Sequence, residues 1–211
     1  MDSNYVYVAN AGSTTVTIYP IHTTTSTATY TVSGLSSPYG VAVDSSYVYV
    51  TNAGSTTVKA YPIDTTTSTA TYTISGLNSP TGVAVDSSYV YVSDWGTSTV
   101  KEYPIHTTTS TVSYTISGLN EPTNVAVNSS YVYVPDTVTD TVTAYPINTT
   151  TSTATYTISG LNGPQGVALG TAATTTTSVP LIDRCGQFIF VFFAGLGGIY
   201  AIIRAKGKVN V

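Results

Sequence analysis

The chain has 211 residues, a formal net charge of −4 at pH 7, and charged residues at only 8% of its positions. Residues 1–170 contain nine acidic residues against Lys59 and Lys101, and an acidic domain without a basic face argues against nucleic acid as a partner. The single cysteine, Cys185, excludes a disulfide within the chain.

A 42-residue repeat organises most of the chain, with related strings beginning at Tyr5, Tyr47, Tyr89 and Tyr131. The second unit divides into four β-type segments: GVAV, YVYVTN, TVKAYPI and ATYTISGL. Turn-rich DSS, AGS and DTTTST separate them, and no helical period is present. Four strands in a repeat of this length predict an all-β fold of β-propeller blades, with GVAV as the innermost strand and tyrosines packed between blades.

The two ends of the repeat predict how the ring closes. Residues 1–3 align with 43–45, so the first unit lacks an inner strand, whereas 166–169 supply one more inner strand after the fourth unit. We predict four blades over 1–170, closed by a strand that contains Val167, Ala168 and Leu169. Pairing of this strand with the first blade would remove exposed edges. The same strand can instead enter a second copy, which would give an eight-bladed ring or a fibre.

The string YVYVTNAGSTTVKAYPI, followed by SPTGVAVDSSYVYV, resembles the YVTN family of β-propeller repeats. It is also similar to the NHL repeat, with its P-x-GVAVD…VYV rhythm. The resemblance covers residues 1–170. It implies a cell-surface or surface-layer-like protein of bacteria or archaea. Propellers of both families commonly have more than four blades, so four units imply a minimal ring or a truncated array.

The C-terminal segment has a three-part layout. Residues 171–186 form a threonine-rich stalk and sorting motif, residues 187–203 are apolar and uncharged, and residues 204–211 are a basic tail. A helix over 187–203 would be about 25 Å long at 1.5 Å per residue, which is enough to cross a bilayer. We predict a transmembrane helix there, and the alternative is a helix buried in a core.

This tail resembles an IPTL-CTERM sorting segment, which exosortase-type membrane peptidases of Gram-negative bacteria recognise. Val179 and Pro180 fit the start of that motif and Gly186 fits its glycine, whereas 181–185 depart from it. Arg204 and Lys206 fit the basic end. By the positive-inside rule the tail is cytoplasmic and the propeller outside. Because no signal peptide follows Met1, we expect a missing start, and the alternative is a tail-anchored protein with its propeller inside.

Recurring polar residues give the candidate sites. Asp44, Asp86 and Asn128 end the inner strands, where a ring of oxygen ligands would suit Ca²⁺ or a polyol, and the alternative is that they cap the following turn. His22 and His106 occupy equivalent positions, which turn chemistry explains better than a metal. Trp95 is a candidate for stacking on a sugar. The triplets that begin at Asn128 and Asn148 match the glycosylation acceptor pattern.

The near-identity of the units favours a non-enzymatic protein without a cofactor, because a catalytic site needs blades that differ. The first interpretation is a cell-surface display, adhesion or interaction scaffold, membrane-anchored through its C-terminus in a bacterial, Gram-negative envelope. Its ligand would be a surface protein or polysaccharide. The second is a self-assembling surface-layer or fibre subunit. The third is a propeller lyase or lactonase, which would need inward-pointing His, Glu or Asp from several blades.

Overall fold

The computed structural model of the protein describes residues 5–21, 27–63, 68–147, 149 and 152–170, together with the backbone of 180–182, 188–192 and 201–205. The chain divides into two compact units, Met1–Leu169 and Gly170–Val211. Each unit is described by itself below.

The first unit is a series of antiparallel sheets, one for each sequence repeat, which we call blades 1 to 4. Blade 1 contains β1 (Tyr5–Asn10), β2 (Thr15–Pro20) and β3 (Tyr30–Val32). Blade 2 contains β4 (Pro38–Val43), β5 (Tyr47–Asn52), β6 (Thr57–Pro62) and β7 (Tyr72–Ile74). Blade 3 contains β8 (Pro80–Val85), β9 (Tyr89–Asp94), β10 (Thr99–Pro104) and β11 (Tyr114–Ile116). Blade 4 contains β12 (Ala126–Val127), β13 (Tyr131–Asp136), β14 (Thr141–Pro146) and β15 (Tyr156–Ile158).

Each blade is a meander whose register follows from the alternation in its sequence. In blade 2, β5 pairs with β6 from Tyr47↔Pro62 to Asn52↔Thr57. The 3-10 turn Ala53–Ser55 connects β5 to β6 within blade 2, and the 3-10 turn Trp95–Thr97 connects β9 to β10 within blade 3. Because strand side chains alternate between the two faces, one face of blade 2 or blade 3 meets the preceding blade and the other meets the following blade.

Three hydrophobic clusters join successive blades. Each contains at least one buried tyrosine, which confirms the prediction that tyrosines pack between blades. Between blades 2 and 3, the cluster contains Tyr49, Val58, Ala60, Ile74 and Leu77 from one blade and Val83, Val90, Val92 and Tyr103 from the next. Equivalent clusters join blades 1 and 2 and blades 3 and 4. All these tyrosines and aliphatic residues are buried, so the aromatic rings supply much of the contact between blades.

A glycine at the start of the inner strand lets neighbouring blades approach closely. A Cβ atom on Gly82 would lie 2.5 Å from Cα of Asn124 in blade 4. The Thr81 hydroxyl donates to the carbonyl of Pro122 at 3.1 Å, which joins the same two blades. A side chain at this position would therefore clash with the next blade and also with Ser93 Oγ of its own blade, 2.6 Å from the added Cβ.

The predicted closing strand is not formed in this unit. Residues 164–170 contain no strand, and the sheet of β1, β2 and β3 has no fourth strand among the described residues. Leu169 does line the cavity between the inner strands, together with Tyr5 and Tyr7. Val6 on blade 1 and Ile158 on blade 4 are exposed at 49% and 50%. The ends therefore do not meet in a ladder.

The second unit contains a three-stranded antiparallel sheet of β16 (Pro180–Ile182), β17 (Phe188–Phe192) and β18 (Ala201–Ala205). The structure thus has strands at both ends of the segment for which the sequence predicts a helix over 187–203, and residues 193–200 lie outside the described part. Within the described residues, no helix has the length and apolar character needed to span a bilayer.

Candidate functional site

The side chain of Asp44 organises the turn between the inner strand of blade 2 and β5. Its Oδ1 accepts hydrogen bonds from the backbone N–H groups of Ser46 at 2.6 Å and Tyr47 at 2.7 Å. Its Oδ2 accepts the hydroxyl proton of Tyr49 at 2.9 Å. This is the geometry by which an aspartate side chain closes a short turn.

The next two blades repeat this arrangement. Asp86 accepts from Ser88 N at 2.7 Å, Tyr89 N at 2.8 Å and the Tyr91 hydroxyl at 2.9 Å. In blade 4, Asn128 Oδ1 accepts from Ser130 N and Tyr131 N at 2.8 Å, and its Nδ2 donates to the hydroxyl of Tyr133 at 3.1 Å. The three residues thus cap their turns, which was the alternative to a ligand ring. Asp2, at the equivalent position of the first unit, lies outside the described residues.

His106 joins blade 3 to the Asp44 turn of blade 2. Its Nε2 lies 2.9 Å from Oδ2 of Asp44, and its ring lies 5.1 Å from Tyr47 and stacks on Tyr72 at 6.1 Å. His106 itself has a left-handed backbone conformation, with a φ of 56°. The sequence predicts a turn role for this histidine and does not predict the contact, because the two residues are 62 positions apart.

Asp44, Asp86 and His106 also line a cavity of about 420 Å³ with Val43, Ser45, Val85, Ser87 and Ile105. A second cavity of about 500 Å³ lies between the inner strands and is lined mainly by valine and alanine. The first cavity thus brings two carboxylates and an imidazole to its lining, whereas Tyr5 and Tyr7 are the polar side chains of the second.

The hydrogen bonds at the Asp44 turn alter the acidity of its groups. Burial alone would raise the pKa of Asp44, but the hydrogen bonds from Ser46, His106, Tyr47 and Tyr49 together hold this pKa below its ordinary value. Burial, followed by the hydrogen bond to Asp44, raises the pKa of Tyr49. The pKa of Tyr91 is raised by burial and by Asp86 in the same way. The Asp44 carboxylate is therefore held ionised, and the phenols of Tyr49 and Tyr91 are held neutral.

The hypothesis of a ligand ring at the inner-strand ends stays a prediction. The oxygens of Asp44 and Asp86 already accept hydrogen bonds from their own blades. In the part of the chain that the structure describes, no group of three or more His, Cys, Asp or Glu side chains is arranged to hold a metal ion.

A second set of polar residues ends the central strands at the opposite end of each blade. Asn52, Asp94 and Asp136 are buried and accept the backbone N–H groups of Ser36, Asn78 and Asn120 at 2.5, 2.7 and 2.7 Å. Asp94 additionally forms an ion pair of 2.5 Å with Lys101. These residues hold the loop that enters their own blade.

The remaining predicted site residues are separated from this turn or lie outside the described part. Trp95 begins the 3-10 turn of blade 3 and is 42% exposed. Asn128 is exposed, but its side-chain amide is engaged with Tyr133. The backbones of Pro180 and Arg204 lie in β16 and β18. Outside the described residues lie Asn148, Val179, Gly186, Lys206 and His22.

Comparison with known proteins identifies the fold and leaves the family open. No protein-family model matches the chain, and no curated protein matches it. Among solved structures, the chain is similar to the WD40 β-propeller domain of Doa1, with 12% identity and a TM-score of 0.61 over 90% of this chain and 58% of that chain. The chain thus spans less than two thirds of that protein.

Two further solved structures have the same kind of similarity. A candidate 6-phosphogluconolactonase from Bacteroides uniformis is 14% identical, with a TM-score of 0.58 over 94% of this chain and 66% of that chain. The computationally designed Ika4 protein is 18% identical, with a TM-score of 0.56 over 70% of this chain and 88% of that chain. At these identities the similarity shows the fold alone. Together with the succession of antiparallel sheets, it shows a β-propeller-like fold.

Proposed function

We propose that the chain is a non-enzymatic β-propeller repeat protein of the YVTN and NHL type, which serves as a display, adhesion or interaction scaffold at the cell surface. The observation that carries this proposal is that the recurring polar side chains are engaged in hydrogen bonds within their own blades. Asp44, Asp86 and Asn128 hold the turns of their own blades. A catalytic centre needs several such side chains free to meet one substrate.

The proposed location rests on the C-terminal sequence. The apolar segment 187–203 and the basic residues after it would hold the protein at a membrane, and the match of Val179, Pro180 and Gly186 to a sorting motif would make an exosortase-type peptidase a partner. The ligand of the propeller would be a surface protein or a polysaccharide. The hydroxyl-rich repeats, with few charged side chains, suit either one.

The location is tested with intact cells of the native organism, in which any export segment ahead of Met1 is present. We expect added protease to degrade the propeller on intact cells while a cytoplasmic control protein survives. The mass of the surface-associated protein then separates two forms, because a sorted chain ends near Pro180 and an anchored chain retains Arg204. Protection of the propeller until the cells are lysed would overturn the surface proposal.

The alternative enzymatic function is a lactonase, for which one of the solved structures of similar fold gives the assay substrate. We expect the purified chain to hydrolyse 6-phosphogluconolactone no faster than buffer does. A rate above buffer that is lost in Asp44→Asn or His106→Ala would overturn the non-enzymatic proposal. The matched control is Val138→Ala, which changes a residue of blade 4 that is 52% exposed and outside the Asp44 turn.

A further inference from the structure

Among the residues that the structure describes in the first unit, the two end blades each have one face without the neighbouring blade that the inner blades have. We call the face of a blade that meets the next blade its trailing face, and the face that meets the preceding blade its leading face. The trailing face of blade 2 includes Ile74 and Leu77, and the leading face of blade 3 includes Val90 and Val92. All four side chains are buried where these faces meet.

The trailing face of blade 4 has the same residue types, and two of them are exposed at its outer strand, while Val142 and Ala144 of the same face are buried. Ile158 and Leu161 are 50% and 36% exposed, whereas their equivalents Ile74 and Leu77 are each 6% exposed. Burial of side chains of this size is the main source of stabilisation at the other blade interfaces. An exposed face with the same residues is therefore suited to the same neighbour.

The leading face of blade 1 is the matching surface. Val6 and Val8 are 49% and 38% exposed, whereas the equivalent Val90 and Val92 of blade 3 are 1% and 0% exposed. Val48 and Val50 of blade 2 are buried against blade 1 in the same way. The surface that would complete blade 4 is thus present at the other end of the same chain.

The segment after blade 4 continues in the direction of a further blade. The Thr123 hydroxyl donates to the carbonyls of Pro164 at 3.4 Å and Gln165 at 3.0 Å, as Thr81 does to Pro122 one blade earlier. In blade 2 the inner strand pairs Val41 with Val50. The same register would pair Val167 with Val8 of a following blade 1.

We infer that two copies of this chain associate head to tail, with the trailing face of blade 4 on each copy packed against the leading face of blade 1 on the other. In each interface, residues 166–169 would supply the inner strand to the partner's β1. Two copies would close one ring of eight blades, which lies within the size range of about four to eight blades for propellers, whereas three copies would exceed it. The inference does not depend on the proposed function.

The mass of the purified full chain in solution tests this association. We expect light scattering after gel filtration to give twice the chain mass. Ile158→Asp and Val8→Asp should each weaken the dimer about tenfold or more, because each places a charge in an apolar interface. Val138→Asp is the matched control, since Val138 is 52% exposed in a turn outside both faces. Circular dichroism checks that all three variants keep their sheets.

Mixing the two disrupted variants tests the head-to-tail geometry. The Ile158→Asp chain retains an intact leading face and the Val8→Asp chain retains an intact trailing face. A one-to-one mixture should therefore recover an open dimer that neither variant forms alone. A monomer in the unmutated protein, a filament in place of a dimer, or a mixture that stays monomeric would each overturn the inference.

Discussion

The carboxylate of Asp44 in blade 2 and the imidazole of His106 in blade 3 lie 2.9 Å apart and join two neighbouring blades. The His106 side chain is 40% exposed, so water screens the pair, and such contacts contribute less than about 1 kcal/mol. We expect His106→Ala to lower the free energy of unfolding by that amount or less. The pKa of Asp44 should rise towards its ordinary value, because one of the hydrogen bonds that lower it is lost.

The pH dependence of this contribution follows from the lowered pKa of Asp44. A carboxylate with a pKa below the unfolded value of 3.8 stabilises the fold above that value, and this stabilisation is lost as pH falls through the folded pKa. Carbon NMR of the carboxyl group measures that pKa directly. His106→Asn is the control variant that keeps a polar side chain at this position, since Asn148 occupies the equivalent position in the fourth unit. An unchanged pKa of Asp44 in His106→Ala would show that the pair does not interact in solution.

Replacement of the buried Asp94 should show that its hydrogen-bond acceptor atoms contribute more to the free energy of unfolding than its charge does. Asp94→Ala removes the acceptor for Asn78 N and leaves Lys101, at 16% exposure, without its partner. We expect a loss of about 3 kcal/mol in the free energy of unfolding by urea. Asp94→Asn should cost less, because Asn52 accepts the equivalent backbone hydrogen bond in blade 2.

A double variant controls for the charge of Lys101 in that experiment. Asp94→Asn combined with Lys101→Thr reproduces the pair Asn10 and Thr17 of blade 1, whose side chains are hydrogen-bonded at 3.1 Å. It should recover part of the stability lost in Asp94→Asn alone. Equal stabilities for Asp94→Ala and Asp94→Asn would contradict the assignment of Asp94 as a backbone acceptor.

The repeat predicts the sheets because the sequence patterns that favour strands and turns involve residues close together in the chain. The alternation of Tyr and Val in β5 and β9 fixes which side chains face each neighbouring blade. The sequence predicts a turn at Asp44 as one of two alternatives, because Asp, Ser and Ser at 44–46 are residues that favour turns. These features depend on a few adjacent residues, and the structure confirms them.

The features that the sequence did not predict depend on packing between blades or on short ambiguous segments. Whether 166–169 meets β1 depends on how the blades pack against one another, through side chains such as Tyr103 that are distant from 166–169 in sequence. The contact of His106 with Asp44 depends on the packing of blade 3 against blade 2 in the same way. In the tail, residues 188–192 are Phe, Ile and Val, and a short run of such residues fits a strand as well as an apolar helix.

Removing the charge of Glu102 should stabilise the protein at neutral pH. Glu102 is buried, and the equivalent positions in blades 2 and 4 are Ala60 and Ala144. Burial, and then the charge of Asp86, raises the pKa of Glu102. Ionisation is therefore less favourable in the folded protein than in the unfolded chain. The resulting destabilisation is absent below the unfolded pKa of 4.5 and grows as pH rises above it.

Glu102→Gln tests this effect, because it removes the charge and keeps the shape of the side chain. The variant should unfold at a higher temperature than the parent at about pH 7 and at nearly the same temperature at about pH 4. Thermal unfolding followed by circular dichroism at both pH values measures the difference. A temperature shift that is equal at the two pH values would mean that packing, and not ionisation, accounts for it.

The buried tyrosines should make alkaline unfolding cooperative. Burial, and then the charge of Asp94, raises the pKa of Tyr103 to about 12, above the unfolded value of 10.0. The stabilisation by the neutral phenol is complete below pH 10 and is lost as pH rises through the folded pKa. Phenolate absorbance and loss of sheet signal should therefore appear together for the buried rings, such as Tyr49, Tyr91 and Tyr103.

Tyr103→Phe separates the hydroxyl from the ring in this titration. The phenylalanine ring still fills the interface between blades 2 and 3 but cannot ionise, so the midpoint of alkaline unfolding should move to higher pH. Tyr39→Phe is the matched control, because Tyr39 is 53% exposed and its loss should leave the midpoint unchanged. A midpoint that moves equally in both variants would show that burial of Tyr103 does not govern the transition.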